Sequence, residues 1–220
     1  MDMQYRKKKV YNYMSKFTIV EIEACPGLVL YAGADLDNFP SLDDLWDPID
    51  GKPIYKAVMS RKRFAFFLRA VRFDNYRDRT TRLPENRLAV SDMCNEFNSK
   101  LSQYYISAET LTVDEQLLGY RGRIPGRTYI LSKPRKYGQK IFWLCEADSG
   151  YALNSHIYTG KEGQSVHREL GKHVVLELYK FFVNTGCEIV TDNFFTSHSL
   201  ALDLLEKKLA LLGTIRSLRK

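Results

Sequence analysis

The sequence predicts an α/β fold, with a mainly helical segment over residues 1–108 and a mixed sheet over residues 109–220. Apolar side chains recur at helical spacing before residue 109, whereas short alternating or β-branched runs follow it. Beyond residue 109 the predicted strands first succeed one another directly and then alternate with helices. That order is typical of a three-strand meander followed by βαβ units, and one mixed sheet accommodates both.

Composition restricts the class of protein and of partner. A chain of 220 residues with 45% hydrophobic residues is expected to fold rather than to remain disordered. Its formal net charge of +7 favours an anionic partner, and nucleic acid is the leading candidate. The longest apolar segment, Phe17–Ala34, contains Glu21 and Glu23, so we expect neither secretion nor a membrane partner. The 4 cysteines lack zinc-binding spacing, which predicts reduced thiols in an intracellular protein and no zinc site.

The helical segment contains two predicted helices and one predicted helix interruption. Pro26 followed by Gly27 is expected to interrupt any helix in the first apolar run. Ser60 is expected to cap a helix that carries Arg61, Lys62 and Arg63 in its first turn, where positive charge opposes the helix dipole. Either these cations meet an anion, or they pair with nearby acids. Those acids are Asp43, Asp44 and Asp47.

A second helix is predicted after Ser91. Its apolar side chains recur at helical spacing, and we expect them to form core. They are Met93, Phe97, Leu101 and Tyr104.

The strands of the second half follow from alternation and from turn residues. In the first strand, Leu111 and Val113 alternate with Asp114, which places Asp114 on the opposite face. The runs 140–146 and 151–159 are predicted to form a hairpin, because Asp148-Ser149-Gly150 separates them.

The βαβ part is predicted from the runs that follow. Residues 173–184 are apolar on nearly all sides, as expected for a buried helix, and Gly186 is placed to end it. The short strand 188–192 ends on Asp192, and Ser197 can cap the next helix. Residues 209–215 form the last predicted strand.

Asp114 and Asp192 are the candidate metal ligands and catalytic residues. Functional groups collect at the carboxyl ends of parallel strands, and Asp192 ends such a strand. If the two strands are neighbours, both carboxylates can hold Mg²⁺, which prefers hard oxygen ligands and activates phosphodiesters. The alternative is that both are turn-forming or capping residues. Glu115 is expected on the other face of the strand and is not counted as a ligand.

A strongly basic segment follows the first strand. It contains 7 cations and no Asp or Glu, so it would attract a polyanion such as a nucleic-acid backbone. The alternative is a surface hairpin whose charges are solvated. The cations are Arg121, Arg123, Arg127, Lys133, Arg135, Lys136 and Lys140.

Four motifs of the second half closely resemble the transposase domain of the piggyBac family and of piggyBac-derived proteins. They are LTVDEQLLGYRGR, SKPRKYGQKIFWLC, IVTDNFFTSHSLALDLL and LLGTIRS. The resemblance implies an RNase H-like fold in which a triad of Asp residues binds Mg²⁺ or Mn²⁺, with Asp114 as the first acid and Asp192 as the second. It also implies cut-and-paste transposition, with transposon ends and TTAA targets as the DNA partners. We expect a nuclear protein, and the sequence leaves open whether it is a monomer or a homodimer.

The same resemblance implies that the basic segment contacts DNA. The residues it places near DNA are Arg121, Arg123, Lys133, Arg135, Lys136 and Lys140. The basic run Arg6–Lys9 is consistent with nuclear localisation.

The sequence also departs from the family pattern. The third acid of the family lies downstream of Lys220, and Glu146 stands where the family usually has Asp. We therefore expect a partial RNase H-like catalytic domain over residues 109–220, with the C-terminal part of the fold missing and with no excision or integration by itself. One alternative is a non-catalytic, transposon-derived DNA-binding protein. Another is an unrelated metal-dependent nuclease that uses Asp203 as its third carboxylate.

Overall fold

The computed structural model describes residues 12–37, 40–75, 77–82, 88–160 and 169–215. The chain forms two compact units, Met1–Arg72 and Phe73–Lys220. The basic run Arg6–Lys9 lies outside the described residues. No helix in the described ranges is long and apolar enough to cross a bilayer.

The first unit consists of short helices around one apolar cluster. Its α-helices are α1 (Ile19–Ala34), α2 (Leu42–Leu45), α3 (Pro53–Val58) and α4 (Arg61–Ala70). Trp46 lies in the cluster, where its ring packs on Tyr55 and Phe64 and its Nε1 donates to the Met59 carbonyl at 2.8 Å. Because this indole is both buried and hydrogen-bonded, it fixes α2 against α3 and α4.

Helix α1 continues through Pro26, so the predicted interruption is wrong. Thr18 begins the helix with a capping box, in which its Oγ1 accepts from the Glu21 amide at 3.2 Å and Glu21 accepts from the Thr18 amide at 2.9 Å. Pro26 lies on the exposed side, while Cys25 and Leu28 are buried in the cluster. Proline inside a helix costs about 3 kcal/mol, and the cap together with the burial of these side chains offsets that cost.

Helix α4 begins as predicted, because the Ser60 hydroxyl accepts from the Arg63 amide at 3.3 Å. Two of its first-turn cations are paired with carboxylates. Arg61 lies 3.1 Å from Asp43, which confirms the ion-pair alternative for that residue, and the buried Arg63 lies 2.7 Å from Glu21.

The second unit contains the sheet. Its helices are α5 (Arg79–Arg82), α6 (Ser91–Tyr104), α7 (Leu170–Leu178) and α8 (His198–Glu206). Its strands are β1 (Thr110–Gly119), β2 (Thr128–Tyr129), β3 (Tyr137–Glu146), β4 (Ala152–Ile157), β5 (Glu188–Thr191) and β6 (Ala210–Gly213). The strand order is β2-β3-β1-β5-β6, and β4 also pairs with β3.

The sheet is mixed, as predicted. Strand β3 runs antiparallel to β1, β2 and β4, whereas β5 runs parallel to both β1 and β6. The predicted meander is therefore present, with the two-residue β2 as an addition, and the β5–α8–β6 unit supplies the parallel part.

Helices α7 and α8 supply the apolar side chains that cover one face of the sheet. Leu111, Phe142 and Ile189 of three neighbouring strands are 0% exposed and belong to the same cluster as Val174 of α7 and Leu200 of α8. This core holds β1 and β5 in place. Asp114 lies within β1, and Asp192 directly follows β5.

Two expectations about helices differ from the structure. In α6 only Leu101 of the four apolar stripe residues is buried, whereas Phe97 is 53% exposed and Tyr104 is 77% exposed. Helical spacing shows that side chains share a face, but it does not show what covers that face. The predicted 173–184 helix ends at Leu178, and a 3₁₀ turn follows before Asn184 takes a φ of +65°, ahead of Gly186.

Glu146 has a structural role at the end of β3. Its carboxylate is buried and accepts from the Ser149 amide at 2.7 Å and from the Ser149 hydroxyl, which closes the turn between β3 and β4. These hydrogen bonds lower the pKa of the Glu146 carboxyl.

Candidate functional site

Asp114 and Asp192 lie side by side because of the register between β1 and β5. Val113 pairs with Thr191 in this parallel ladder, and each acid is the next residue along its chain. Asp114 continues within β1, while Asp192 is the first residue after β5. Both side chains are exposed. The strands that carry the predicted ligands are therefore neighbours, as the metal-site hypothesis requires.

The loop after β5 holds Asp192 in a defined turn. Its Oδ1 accepts from the Phe194 amide at 2.9 Å, and its carbonyl accepts from the Thr196 amide at 3.1 Å. Thr196 also donates its hydroxyl to that carbonyl at 2.7 Å and lies 2.8 Å from the Thr191 hydroxyl. Asp192 thus acts as a turn residue, which was the alternative interpretation, and the same turn fixes its carboxylate at the end of β5.

The surroundings of Asp114 keep its carboxylate at the surface of the sheet. Its Oδ1 accepts a hydrogen bond from the Glu115 amide at 2.7 Å, and Trp143 of β3 is its partner in the antiparallel β1–β3 ladder. Burial raises the pKa of the Cys145 thiol, and the charge of Asp114 raises it further. The Glu115 carboxylate lies 3.4 Å from the Lys133 ammonium group.

Two carboxylates on adjacent strands fit Mg²⁺ better than zinc. Magnesium is commonly held by one or two carboxylates, with water and substrate phosphates completing its octahedron. Within the described ranges no group of three or more His, Cys, Asp or Glu side chains is placed to hold a metal ion. Asp203, the third carboxylate of the nuclease alternative, lies 2.9 Å from Lys172.

The basic segment lies at the ends of β1 and β3 and in the loops between them. Arg121, Arg123, Arg135 and Lys136 are exposed. Within the part of the chain that the structure describes, Lys133 is the member of the segment that forms an ion pair, with Glu115. Arg127 stabilises the loop, because its Nη1 donates to the Arg121 and Gly122 carbonyls at 3.2 Å.

Lys140 differs from the other cations because it lies against aromatic rings. Its Nζ is 5.4 Å from the ring centroid of Phe142 and 5.2 Å from that of Phe194, within the range of cation–π attraction. Phe194 is also the residue whose amide binds the Asp192 carboxylate. The ammonium group therefore stabilises the loop that holds Asp192.

Comparison with known proteins identifies the family. A family model described as Transposase IS4 matches residues 2–220. The chain belongs to this transposase family. A cryo-EM structure of the piggyBac transposase synaptic complex with hairpin DNA is similar over 99% of this chain, with a TM-score of 0.87 and 36% sequence identity. The similar region is 46% of the piggyBac chain, so this transposase-family chain spans less than half of that length.

The piggyBac similarity confirms the resemblance predicted from the motifs and the RNase H-like α/β fold. A crystal structure of the Mos1 mariner paired end complex with Mn aligns over 90% of this chain and 68% of that one. Its TM-score of 0.31 and its 14% identity are too low to carry an argument.

The sequence of this transposase-family chain predicted Asp114 and Asp192 as the candidate acids, but not the contacts that hold them. The pattern of a β-branched strand that ends on Asp was sufficient to single out Asp192. The aromatic residues that follow it, Phe194 and Phe195, were the available signal for a packed loop, because Phe195 is 1% exposed and Phe194 stacks on Phe142. No feature of the sequence indicated the cation–π contact between Lys140 and Phe194 of that loop.

Proposed function

We propose that this transposase-family chain binds DNA through its basic segment and uses Asp114 and Asp192 to hold Mg²⁺ for cleavage and joining of DNA strands. The observation that carries the proposal is the β1–β5 register, which brings the two acids next to each other. The similarity to a piggyBac synaptic complex with hairpin DNA supports DNA as the partner. Mn²⁺ has similar ligand preferences and would serve in the same site.

The metal would stabilise charge on the attacking and leaving oxygens of a phosphodiester. The contribution of this chain is to hold two carboxylates rigidly, through the Asp192 turn and the β1 ladder, and to attract the phosphate backbone with Arg121, Arg123 and their neighbours. Because two carboxylates leave most of the octahedron to water and phosphate, we propose that metal binding is weak without DNA. We further propose that the chain by itself neither excises nor integrates an element.

Metal binding provides the test. We expect Mn²⁺, followed by electron paramagnetic resonance, to bind more tightly when duplex DNA is present than when it is absent. Asp114→Asn and Asp192→Asn should abolish that increase, whereas Asp203→Asn, which alters the residue paired with Lys172, should not. Equal Mn²⁺ affinity in the wild type and both site variants would exclude the proposed metal site.

A second candidate function is DNA binding without chemistry, as in a domesticated or degraded derivative. This function is favoured by the structural role of the Asp192 carboxylate, which accepts a hydrogen bond from the Phe194 amide at 2.9 Å and so stabilises the turn. Salt-dependent DNA binding with no metal-dependent nicking of supercoiled plasmid would support it, whereas nicking that Asp114→Asn abolishes would support the catalytic proposal.

The similarity to piggyBac extends the proposal to a TTAA target, a homodimer and nuclear localisation. Each extension has its own measurement. Equal affinity for TTAA-containing and scrambled duplexes would refute the TTAA target. A monomer in sedimentation analysis with DNA would refute the homodimer. Cytoplasmic retention of a fluorescent fusion would refute nuclear localisation.

A further inference from the structure

A groove lies between the end of β1 and the start of β3. Its volume of about 520 Å³ is in the range of sites that bind small ligands. It is lined by Tyr120, Arg121, Arg135, Lys136 and Tyr137, and we refer to it as the tyrosine groove. The tyrosine groove thus combines aromatic rings, which can stack on a base, with cations, which can bind a phosphate.

The tyrosine rings of the groove are available to a ligand. Tyr120 is 46% exposed and Tyr137 is 50% exposed. Tyr129 extends the aromatic surface, since its ring centroid lies 4.8 Å from that of Tyr137, and the Arg127 guanidinium lies 5.7 Å from the Tyr137 ring. Exposed aromatic rings beside cations are the usual platform for stacking an unpaired base.

Two glycines allow the groove to take this shape. A Cβ atom on Gly122 would lie 2.3 Å from the Tyr120 hydroxyl oxygen, so the ring rests directly against the loop backbone. A Cβ atom on Gly119 would lie 2.3 Å from Cδ of Arg135, which packs over β1 in the same way. The ring and the cation are therefore held by backbone that has no side chain at these points.

The charge of the groove selects an anion. No Asp or Glu occurs between Glu115 and Glu146 in the sequence. Among the described residues, the carboxylate that pairs with this segment is Glu115, and its partner is Lys133, outside the groove. Arg121, Arg135 and Lys136 are therefore available to phosphate.

We propose that the tyrosine groove binds unpaired nucleotides of a DNA strand, with a base stacked on Tyr120 or Tyr137 and the adjoining phosphates on Arg121, Arg135 and Lys136. In a duplex the faces of the bases are covered by their neighbours, so a stacking surface discriminates in favour of unpaired ends or distorted DNA. This inference rests on the proposed DNA binding and adds the structural state of the DNA that the groove selects.

The test compares two labelled DNAs that differ only in an unpaired extension. Fluorescence anisotropy of the full chain would be measured in EDTA, so that no cleavage occurs, with a blunt duplex and with the same duplex carrying a short single-stranded overhang. We expect tighter binding of the overhang DNA. Tyr120→Leu with Tyr137→Leu should weaken that binding by about 5-fold to about 150-fold, because stacking contributes about 1–3 kcal/mol per base.

Matched variants separate stacking from loss of fold. Tyr120→Phe and Tyr137→Phe keep the rings and should retain the preference for the overhang. Tyr104→Leu, which removes a 77% exposed tyrosine on α6, should have no effect. Gly122→Ala should weaken overhang binding, because the new methyl group displaces the Tyr120 ring.

The outcomes distinguish this inference from the proposed function. If both DNAs bind equally and the Leu variants weaken neither, DNA binding stands and the tyrosine groove is not a base-binding site. The same conclusion follows if the Leu variants weaken both DNAs equally. If neither DNA binds at low salt, both the groove and the proposed DNA partner are refuted.

Discussion

Replacing Arg63 by Met should strongly destabilise the N-terminal unit. Arg63 is 6% exposed, and its guanidinium uses all five of its N–H groups as donors. The Glu21 carboxylate accepts two of these hydrogen bonds at 2.7 and 2.9 Å, and the carbonyls of Tyr13, Ser15 and Lys16 accept the others at 2.8 to 3.0 Å. Met has a similar length and no donor, so these acceptors would lose their partners.

The size of the effect follows from burial on the two sides of the ion pair. Removing one member of a buried, hydrogen-bonded pair costs about 3–5 kcal/mol. The Glu21 side chain is 30% exposed, so water can solvate part of it when the guanidinium is gone. The contact between the guanidinium and the Phe17 ring, 3.8 Å from its centroid, is lost as well. We therefore expect the free energy of unfolding of this unit to fall by about 3 kcal/mol on Arg63→Met.

Tryptophan fluorescence allows this unit to be followed separately. The chain has 2 tryptophans, Trp46 in the first unit and Trp143 in β3, so a Trp143→Phe background leaves Trp46 as the reporter. Urea unfolding would be compared for Arg63→Met and for Arg69→Met, which removes an exposed arginine from the same helix. A difference between the two variants below about 0.5 kcal/mol would refute the proposed role of Arg63.

Three further predictions concern other contacts. Hydrogen bonds from Arg63 and from Thr18 lower the pKa of the Glu21 carboxyl from 4.5 to about 2. Their stabilising contribution is therefore complete above pH 4.5 and is lost as pH falls toward 2, and Glu21→Gln should flatten the Trp46-monitored free energy of unfolding over that range. Gly171→Ala should lower the free energy of unfolding by about 1–3 kcal/mol in thermal unfolding, because its Cβ would lie 2.5 Å from the Phe194 carbonyl oxygen. The control Gly33→Ala should not destabilise the protein, because its Cβ would meet no atom within 4 Å. Lys140→Met should lower hydrogen-exchange protection of the Phe194 amide by about two-fold or more, and Lys140→Arg should retain it; equal protection in both variants would contradict the cation–π role.

The pairing of the two acids could be anticipated, but the geometry that achieves it could not. Alternation located Asp114 on the face opposite Leu111 and Val113, and the order of strands and helices predicted a parallel strand ending at Asp192. The pattern did not specify that β5 pairs with β1 rather than with another strand, because register depends on tertiary packing. The sequence pattern also could not show that the Asp192 carboxylate accepts a hydrogen bond from the Phe194 amide.

Helix predictions failed where tertiary contacts outweighed local preference. Pro26 disfavours a helix locally, yet the burial of Cys25 and Leu28 on either side maintains one. In α6 the spacing of Phe97 and Leu101 predicted a buried face, and the structure buries only Leu101. Instead, Asn98 links this helix to β4, with its Nδ2 donating to the Ser155 carbonyl at 2.8 Å.

The pairing between β1 and β5 has a consequence for how the site comes into existence during folding. Asp114 belongs to a meander of sequence-local strand pairs, whereas Asp192 belongs to a βαβ unit, and each part can form from contacts within itself. The acids meet only when the long-range β1–β5 ladder closes, a step that carries the larger loop-closure entropy. A family member that keeps both motifs but weakens this one ladder would retain every sequence signature of the site while the two carboxylates stay apart.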